Sequence, residues 1–419
     1  MLIQRSCEKY YDISLNGTNA RYECKEKGVR NMEHHYEKVE DILVHEGDDY
    51  AKFMGSVAPP IYQSSLFVRP TTANGIPDHP YAYSRASNPT VEAVEKKIAA
   101  LEGAEAALCF SSGMAAITSA IMHFVEKDCH VITVKSIYGP ARNFLCNYLP
   151  KKFGVKTSFL TCEEMEHIED FITEDTKLIY LESPSSGVFR LQDLDYIAKL
   201  AKEHGIGTVI DNTYATSLYQ HPLEYGIDIS VHTASKYLGG HSDLVAGAVI
   251  SSKEICDQIQ NNERVLYGAC IDPHQAWLLQ RGMRTMKLRL EQHAKNALAV
   301  AQYLKNHPYV KEVYYPGLKE GPQKDLIEKY LKGFNGLMSF VIDGDADAAR
   351  KFLDSVTCFL NGCSWGGYES LAVSYTIGSS QENCDAIDCP MNLIRLHVGL
   401  ENVETLIADL EQALEKARK

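Results

Sequence analysis

Lys236 lies in the run DISVHTASKYLGGHSD, where an ε-amine follows an apolar strand pattern and precedes a glycine-rich loop. An amine so placed, partly desolvated among hydroxyls, can act as a nucleophile toward an aldehyde. Earlier in the chain, GTVIDNTYA puts Asp211 at the carboxyl end of another apolar run. An open α/β sheet builds its ligand crevice there, and a carboxylate in it can partner a ring nitrogen. Ala106–Phe110 runs into Ser111-Ser112-Gly113-Met114 and a helical pattern. Amides at that helix start face an anion, and Gly113 lets a phosphate approach the backbone. Tyr138, in SIYGPAR, offers a flat ring to cover a ligand face. Arg395, in NLIRLHVGLE, sits in an apolar strand where a guanidinium needs an anionic partner and suits a carboxylate.

Read alone, each residue has an ordinary explanation: a serine-capped turn, a packed tyrosine, an Asp-Asn turn pair, a solvated lysine, an internal salt bridge. Together they form a set: a phosphate nest, a stacking ring, a carboxylate for a ring nitrogen, an amine for an aldehyde, and a carboxylate-binding arginine. Pyridoxal phosphate presents all of the matching groups. A hydrolytic relay from His241-Ser242-Asp243 is discounted, because adjacent residues cannot point at one another as the relay requires. Cys358/Cys363 and Cys384/Cys389 have metal-ligand spacing, but such thiols are commonly just buried, and no metal is assigned.

The elements that must position these groups begin at Asn88. It caps a helix with Pro89 at its first position, Val91, Val94, Ile98 and Leu101 on one face, and Gly103 at its end. Strand patterns AALCF, HVITV, KLIYLES, GTVID, DISVHTA and AGAVISS then alternate with helical ones such as ARNFLCNYL, LDYIAKLAKEHG and KEICDQI. That alternation predicts a mostly parallel sheet covered on both faces. A long helical region from Pro273 to about Asn306 reads as a bridge. Beyond it KEVYY, GLMSFVI and NLIRLHV alternate with DAARKFL and VETLIADLEQALEKA, a smaller α/β unit. The expected division is 1–85 as an N-terminal extension and arm, 86–275 as the cofactor-binding domain, and 276–419 as the C-terminal domain with the bridging helix. The stretch 57–83, rich in Pro, Gly and aromatics, reads as an ordered arm of the kind that reaches a partner subunit.

Composition bounds the function. The 419 residues suit two or three compact units, and 45% apolar with 23% charged residues is globular. A net charge of −13 disfavours a nucleic-acid surface. No run approaches the roughly 18 apolar residues that would span a bilayer. The N-terminus lacks a signal-type apolar core, and the 12 scattered cysteines read as reduced thiols, so the expectation is a cytoplasmic enzyme with a small-molecule substrate.

From about Val57 to the C-terminus the chain resembles the Cys/Met-metabolism (trans-sulfuration) family of pyridoxal-phosphate enzymes. The likeness is carried by APPIYQSS, YSRASNPT, FSSGMAA, LESPSSG, IDNTYA, ASKYLGGHSD, RGMRT, SWGGYESL and LIRLHVGLE. SWGGYESL, LIRLHVGLE and LESPSSG are most similar to bacterial cystathionine β-lyases. The resemblance implies fold type I, aspartate-aminotransferase-like: a large, mostly parallel seven-stranded sheet domain plus a smaller C-terminal α/β domain. It also implies that Lys236 forms the Schiff base, Asp211 keeps the pyridinium protonated, and Tyr138 stacks on the ring. Ser112, Gly113 and Met114, with the Thr233 and Ser235 hydroxyls, would hold the phosphate. Tyr83 and Arg85 would reach the phosphate of a neighbouring subunit in a homo-oligomer, expected to be a tetramer. Ser364 and Arg395 would fix the carboxylate of a sulfur-containing amino acid, with Trp365 and Tyr368 lining the same entrance.

Three positions depart from the family pattern. Ser186 stands where γ-synthases and γ-lyases usually carry Asn, and Thr233 and Ser235 exchange the usual Ser and Thr. The expected activity is β-cleavage of cystathionine in cysteine metabolism and methionine biosynthesis. Its rivals are γ-chemistry in the same site and a non-catalytic binding protein on the same fold.

Overall fold

The computed structural model describes residues 36–419 and the backbone of two short paired strands, Ser14–Leu15 and Thr18–Asn19. After a short helix, α1 (Val39–His45), and the extended stretch through the 60s and 70s, α2 (Pro89–Glu102) forms with the caps its sequence calls for. The Asn88 side chain accepts from Thr90 N at 2.9 Å, and Gly103 closes the helix at φ +65°. Val91, Val94, Ile98 and Leu101 are buried on one face.

The large sheet has seven strands: β1 (Ala106–Phe110), β2 (His130–Val134), β3 (Lys156–Leu160), β4 (Thr176–Glu182), β5 (Gly207–Asp211), β6 (Ile229–His232) and β7 (Gly247–Ser251). Their order is β1-β7-β6-β5-β4-β2-β3, and only β7 runs against its neighbours. The carboxyl ends of β4, β5 and β6 therefore open on one edge. β3 has no counterpart among the strand patterns read from sequence. It is an edge strand that pairs with β2 alone, and its residues KTSFL are half exposed, so no continuous apolar run marks it. Helices α3 (Gly113–Phe124) and α4 (Leu194–His204) contribute Ile117, Ile121, Ile197 and Ala201 to the core around the sheet.

The expected bridge is two helices, α5 (Pro273–Met283) and α6 (Met286–Lys305), broken at Arg284-Thr285. Tertiary contact overrides the helical pattern here. Gly282 packs so closely that an added Cβ would lie 2.1 Å from Gly239 O. Arg289 Nη2 donates to Gly282 O at 2.7 Å, and its Nη1 to Tyr237 O at 2.9 Å. The break thus clamps the backbone that follows Lys236.

The second sheet is β8 (Val310–Tyr314), β9 (Leu337–Ile342), β10 (Leu360–Asn361), β11 (Leu371–Val373) and β12 (Leu393–His397), ordered β8-β9-β12-β11-β10. It is antiparallel except between β10 and β11. α6, α7 (Ala346–Ser355) and α8 (Val403–Arg418) pack Val300, Phe352 and Leu410 against Met338, Phe340, Ile394 and Leu396. Because side chains alternate along a strand, this burial of Ile394 and Leu396 turns Arg395 and His397 to the opposite face. On that side Leu337 packs with Phe189 and Tyr214 of the large-sheet region, and Arg395 meets the site.

Candidate active site

Lys236 sits in the first turn beyond β6, its amide donating to Thr233 O at 3.1 Å. Its Nζ donates to Ser364 Oγ at 2.7 Å and lies 5.5 Å from the centre of the Trp365 ring. The loop can come this close only because of Gly366, at φ +86°, where an added Cβ would stand 2.8 Å from Lys236 C. Burial first, and the Arg395 guanidinium second, pull the Lys236 ammonium down to about 8. A neutral amine is therefore within reach near physiological pH.

Asp211 ends β5 as the register partner of Glu182, which ends β4, so two buried carboxyls stand side by side on one face. Thr213 N donates to Asp211 Oδ1 at 3.0 Å, and the Thr213 hydroxyl donates to the same oxygen. Tyr138 N donates to Glu182 Oε2 at 2.7 Å, and the Ser186 hydroxyl donates to Oε1. Burial, then the neighbouring Asp211, push Glu182 up to about 8. Burial also raises Asp211, opposed by the Thr213 bonds and by His232 and Lys236. Both carboxyls are thus pushed upward, with the Thr213, His232 and Lys236 contacts favouring the charged form at Asp211. The half-exposed Tyr138 phenol is raised by burial and then by Asp211, which puts it in the same space.

Gly113 opens α3, with the Ser112 hydroxyl capping by accepting from Ala115 N at 3.1 Å. A Cβ at Gly113 would fall 2.1 Å from Thr233 Oγ1, so the amides of this turn and the Thr233 hydroxyl form one cradle that only glycine leaves open. Met114 follows in the same turn, half-buried. The Ser235 hydroxyl accepts from Ala246 N at 2.9 Å and donates to Ala246 O at 3.3 Å. A cradle of amides and hydroxyls, a buried carboxylate and a weakly basic amine are the donor set that suits the phosphate, ring nitrogen and aldehyde of pyridoxal phosphate.

Arg395 Nη2 donates to Cys363 O at 2.7 Å and to Tyr375 OH at 3.3 Å, with its guanidinium 5.2 Å from the centre of the Tyr375 ring. Ser364, Trp365 and Arg395 are thereby gathered around Lys236. Tyr368 lies on the same loop with an exposed ring, its carbonyl accepting from Leu400 N at 2.8 Å. Tyr83 and Arg85 are not drawn in. Both are exposed in the arm, with the Arg85 guanidinium 5.2 Å from the Tyr83 ring centre. Sequence reading missed Glu182 and Tyr375. Glu182 carried a signal, an acidic residue closing an apolar strand pattern just as Asp211 does. Tyr375 lies in an irregular segment with none.

A sequence model of the Cys/Met metabolism PLP-dependent enzymes matches residues 40–415. The chain belongs to this family, and its cofactor is pyridoxal phosphate. It is 38% identical over 373 residues to an L-methionine gamma-lyase of Fusobacterium nucleatum subsp. polymorphum, covering 86% of this chain and 94% of that protein. It is 37% identical over 380 residues to a cystathionine beta-lyase of Lactococcus lactis subsp. cremoris, covering 89% and 98%. The crystal structure of metB from Corynebacterium glutamicum superposes with a TM-score of 0.84 at 32% identity, covering 90% of this chain and 98% of that one, which gives the fold as type I. Among the described residues no helix is long and apolar enough to cross a membrane.

Proposed function

We propose that the protein is a carbon–sulfur β-lyase that takes cystathionine and water to homocysteine, pyruvate and ammonia, and that related cysteine-type substrates release their own thiols. The observation that carries this reading is the convergence of Lys236, Asp211 and Arg395. An amine at about 8, a buried carboxylate and a carboxylate-binding guanidinium meet at the carboxyl edge of the large sheet. Pyridoxal phosphate, when bound, supplies an electron sink for the pair of electrons left at the substrate's Cα. Arg395 and Ser364 hold the substrate carboxylate, orienting the Cα–H bond. Lys236 Nζ removes that proton as general base and returns it later as general acid. Asp211 keeps a proton on the ring nitrogen by charge attraction, which keeps the sink effective. The Cβ–S bond then breaks, and the departing thiolate takes a proton to become the thiol.

Ser186 supports β-cleavage, because it stands where γ-enzymes of the family usually carry Asn and its short hydroxyl is committed to Glu182. γ-Elimination is the second reading, favoured by the 38% identity to a methionine gamma-lyase. Keto-acid analysis over cystathionine, cysteine and methionine separates them: pyruvate from cystathionine is expected, and 2-oxobutyrate as the main product would overturn the β-reading. The exposed Tyr83 and Arg85 support a site completed by a second copy of the chain.

A further inference from the structure

Glu182 takes no part in the chemistry above, yet both of its carboxyl oxygens are committed. The loops leaving β2 and β4 are fastened at three points. Ser186 N donates to Ser136 O at 2.8 Å, Ser136 Oγ donates to Ser185 Oγ at 3.0 Å, and Tyr138 N donates to Glu182 Oε2 at 2.7 Å. Only the third tie reaches the residue whose ring faces the site. The Ser186 hydroxyl on Oε1 then fixes the rotation of the carboxyl that makes it. Register pairing with Asp211 sets how far along the sheet that carboxyl stands.

We propose that Glu182 is a positioning residue: by holding the Tyr138 amide and the Ser186 hydroxyl on its two oxygens, it sets the Tyr138 ring as a platform over the cofactor, beside Asp211. This rests on the reading of Tyr138 as the stacking residue. The groups facing Glu182 are Asp211 from β5, Tyr138 from the loop after β2, the buried Tyr180 within β4, Cys389 near the second sheet and Arg395 from β12. Burial and Asp211 push this carboxyl up, while the bonds from the Ser186 hydroxyl and the Tyr138 amide hold it down. Glutamine keeps an acceptor for that amide and the polar contact to Ser186, so it is the conservative variant.

The test is a double-mutant cycle read as the dissociation constant of pyridoxal phosphate from refolded or stripped protein, with thermal melting to verify folding. Glu182→Ala is expected to weaken binding about tenfold, the size of one buried hydrogen bond lost, while Glu182→Gln stays within about twofold of the natural chain. In a Tyr138→Ala background, Glu182→Ala should add less than about twofold, because its route to the cofactor is already gone. Additive effects, or an unchanged constant in Glu182→Ala, would overturn the proposal. Should Glu182→Ala fail to fold, Glu182→Asp replaces it, since the carboxyl is kept but drawn back from the amide by one methylene. If Tyr138→Ala itself leaves binding unchanged, the stacking reading fails instead.

Discussion

Lys236 and Ser364 meet where the two sheets adjoin, Nζ donating to Oγ at 2.7 Å. The amine is thereby held against the loop whose Cys363 carbonyl also holds Arg395. One loop of the smaller sheet thus sets both the nucleophile of the larger one and the guanidinium that lowers its proton affinity.

The charge arrangement makes a pH prediction. Lys236 ordinarily titrates near 10.5, and burial with Arg395 brings it to about 8. Since only the neutral amine attacks an aldehyde, uptake of pyridoxal phosphate by stripped protein should speed up as pH rises and level off above about 8. Arg395→Met removes a cation that lowers this value, so the midpoint should move to higher pH. Stopped-flow absorbance across pH 6–10 measures it, and an unmoved midpoint in Arg395→Met counts against the coupling.

Gly113→Ala probes the phosphate cradle. The new methyl would fall 2.1 Å from Thr233 Oγ1, so either that hydroxyl or the helix start must shift. Overpacking of this kind costs about 1–3 kcal/mol, and we expect cofactor affinity to fall about tenfold or more. Equilibrium dialysis reads the loss, and undiminished affinity would mean the phosphate lies elsewhere.

A shared site predicts complementation. Arg85→Ala should weaken cofactor binding and Lys236→Ala should abolish turnover. Exchanged mixtures of the two should regain activity, because one of the two sites then carries both natural residues. Mixing under mild denaturation followed by a keto-acid assay measures this, and no recovery in verified mixed oligomers argues for sites built within one chain.

Asp409 gives a stability prediction. Its carboxylate accepts from Thr357 N and Oγ1, Cys358 N and Phe359 N at 2.7 to 3.1 Å, tying α8 to the segment before β10. Burial works to raise its pKa, but the Thr357 hydroxyl and these amides together hold it low. A depressed folded-state value contributes stability that is fully present above the unfolded value and lost as pH falls through the folded one. Asp409→Ala should cost about 2–3 kcal/mol at pH 7, and Asp409→Asn should flatten the acid limb of denaturant midpoints. An unchanged limb would locate the acid-sensitive group elsewhere.

How far the sequence could be read follows from where the information lies. Lys236 and Asp211 were legible because an ionisable residue at the end of an apolar strand pattern stands out, and parallel strands bring such ends together. The start and stop of α2 were legible because Asn88, Pro89 and Gly103 act locally. The break at Arg284-Thr285 was not, because its cause is a contact between Gly282 and Gly239, distant in the chain. β3 was hidden by its edge position, and Tyr375 by an irregular segment. Glu182 had the mark of Asp211, yet its partnership with Tyr138 and Ser186 depends on two loops that only the folded sheet sets side by side.

The central claim is that Lys236, and no other amine, bonds the cofactor. Borohydride reduction of the loaded protein, digestion and mass spectrometry should find the pyridoxyl group on the peptide that carries Lys236, with none retained in Lys236→Ala. A label on a different lysine, or no label in protein shown to contain the cofactor, would contradict the account.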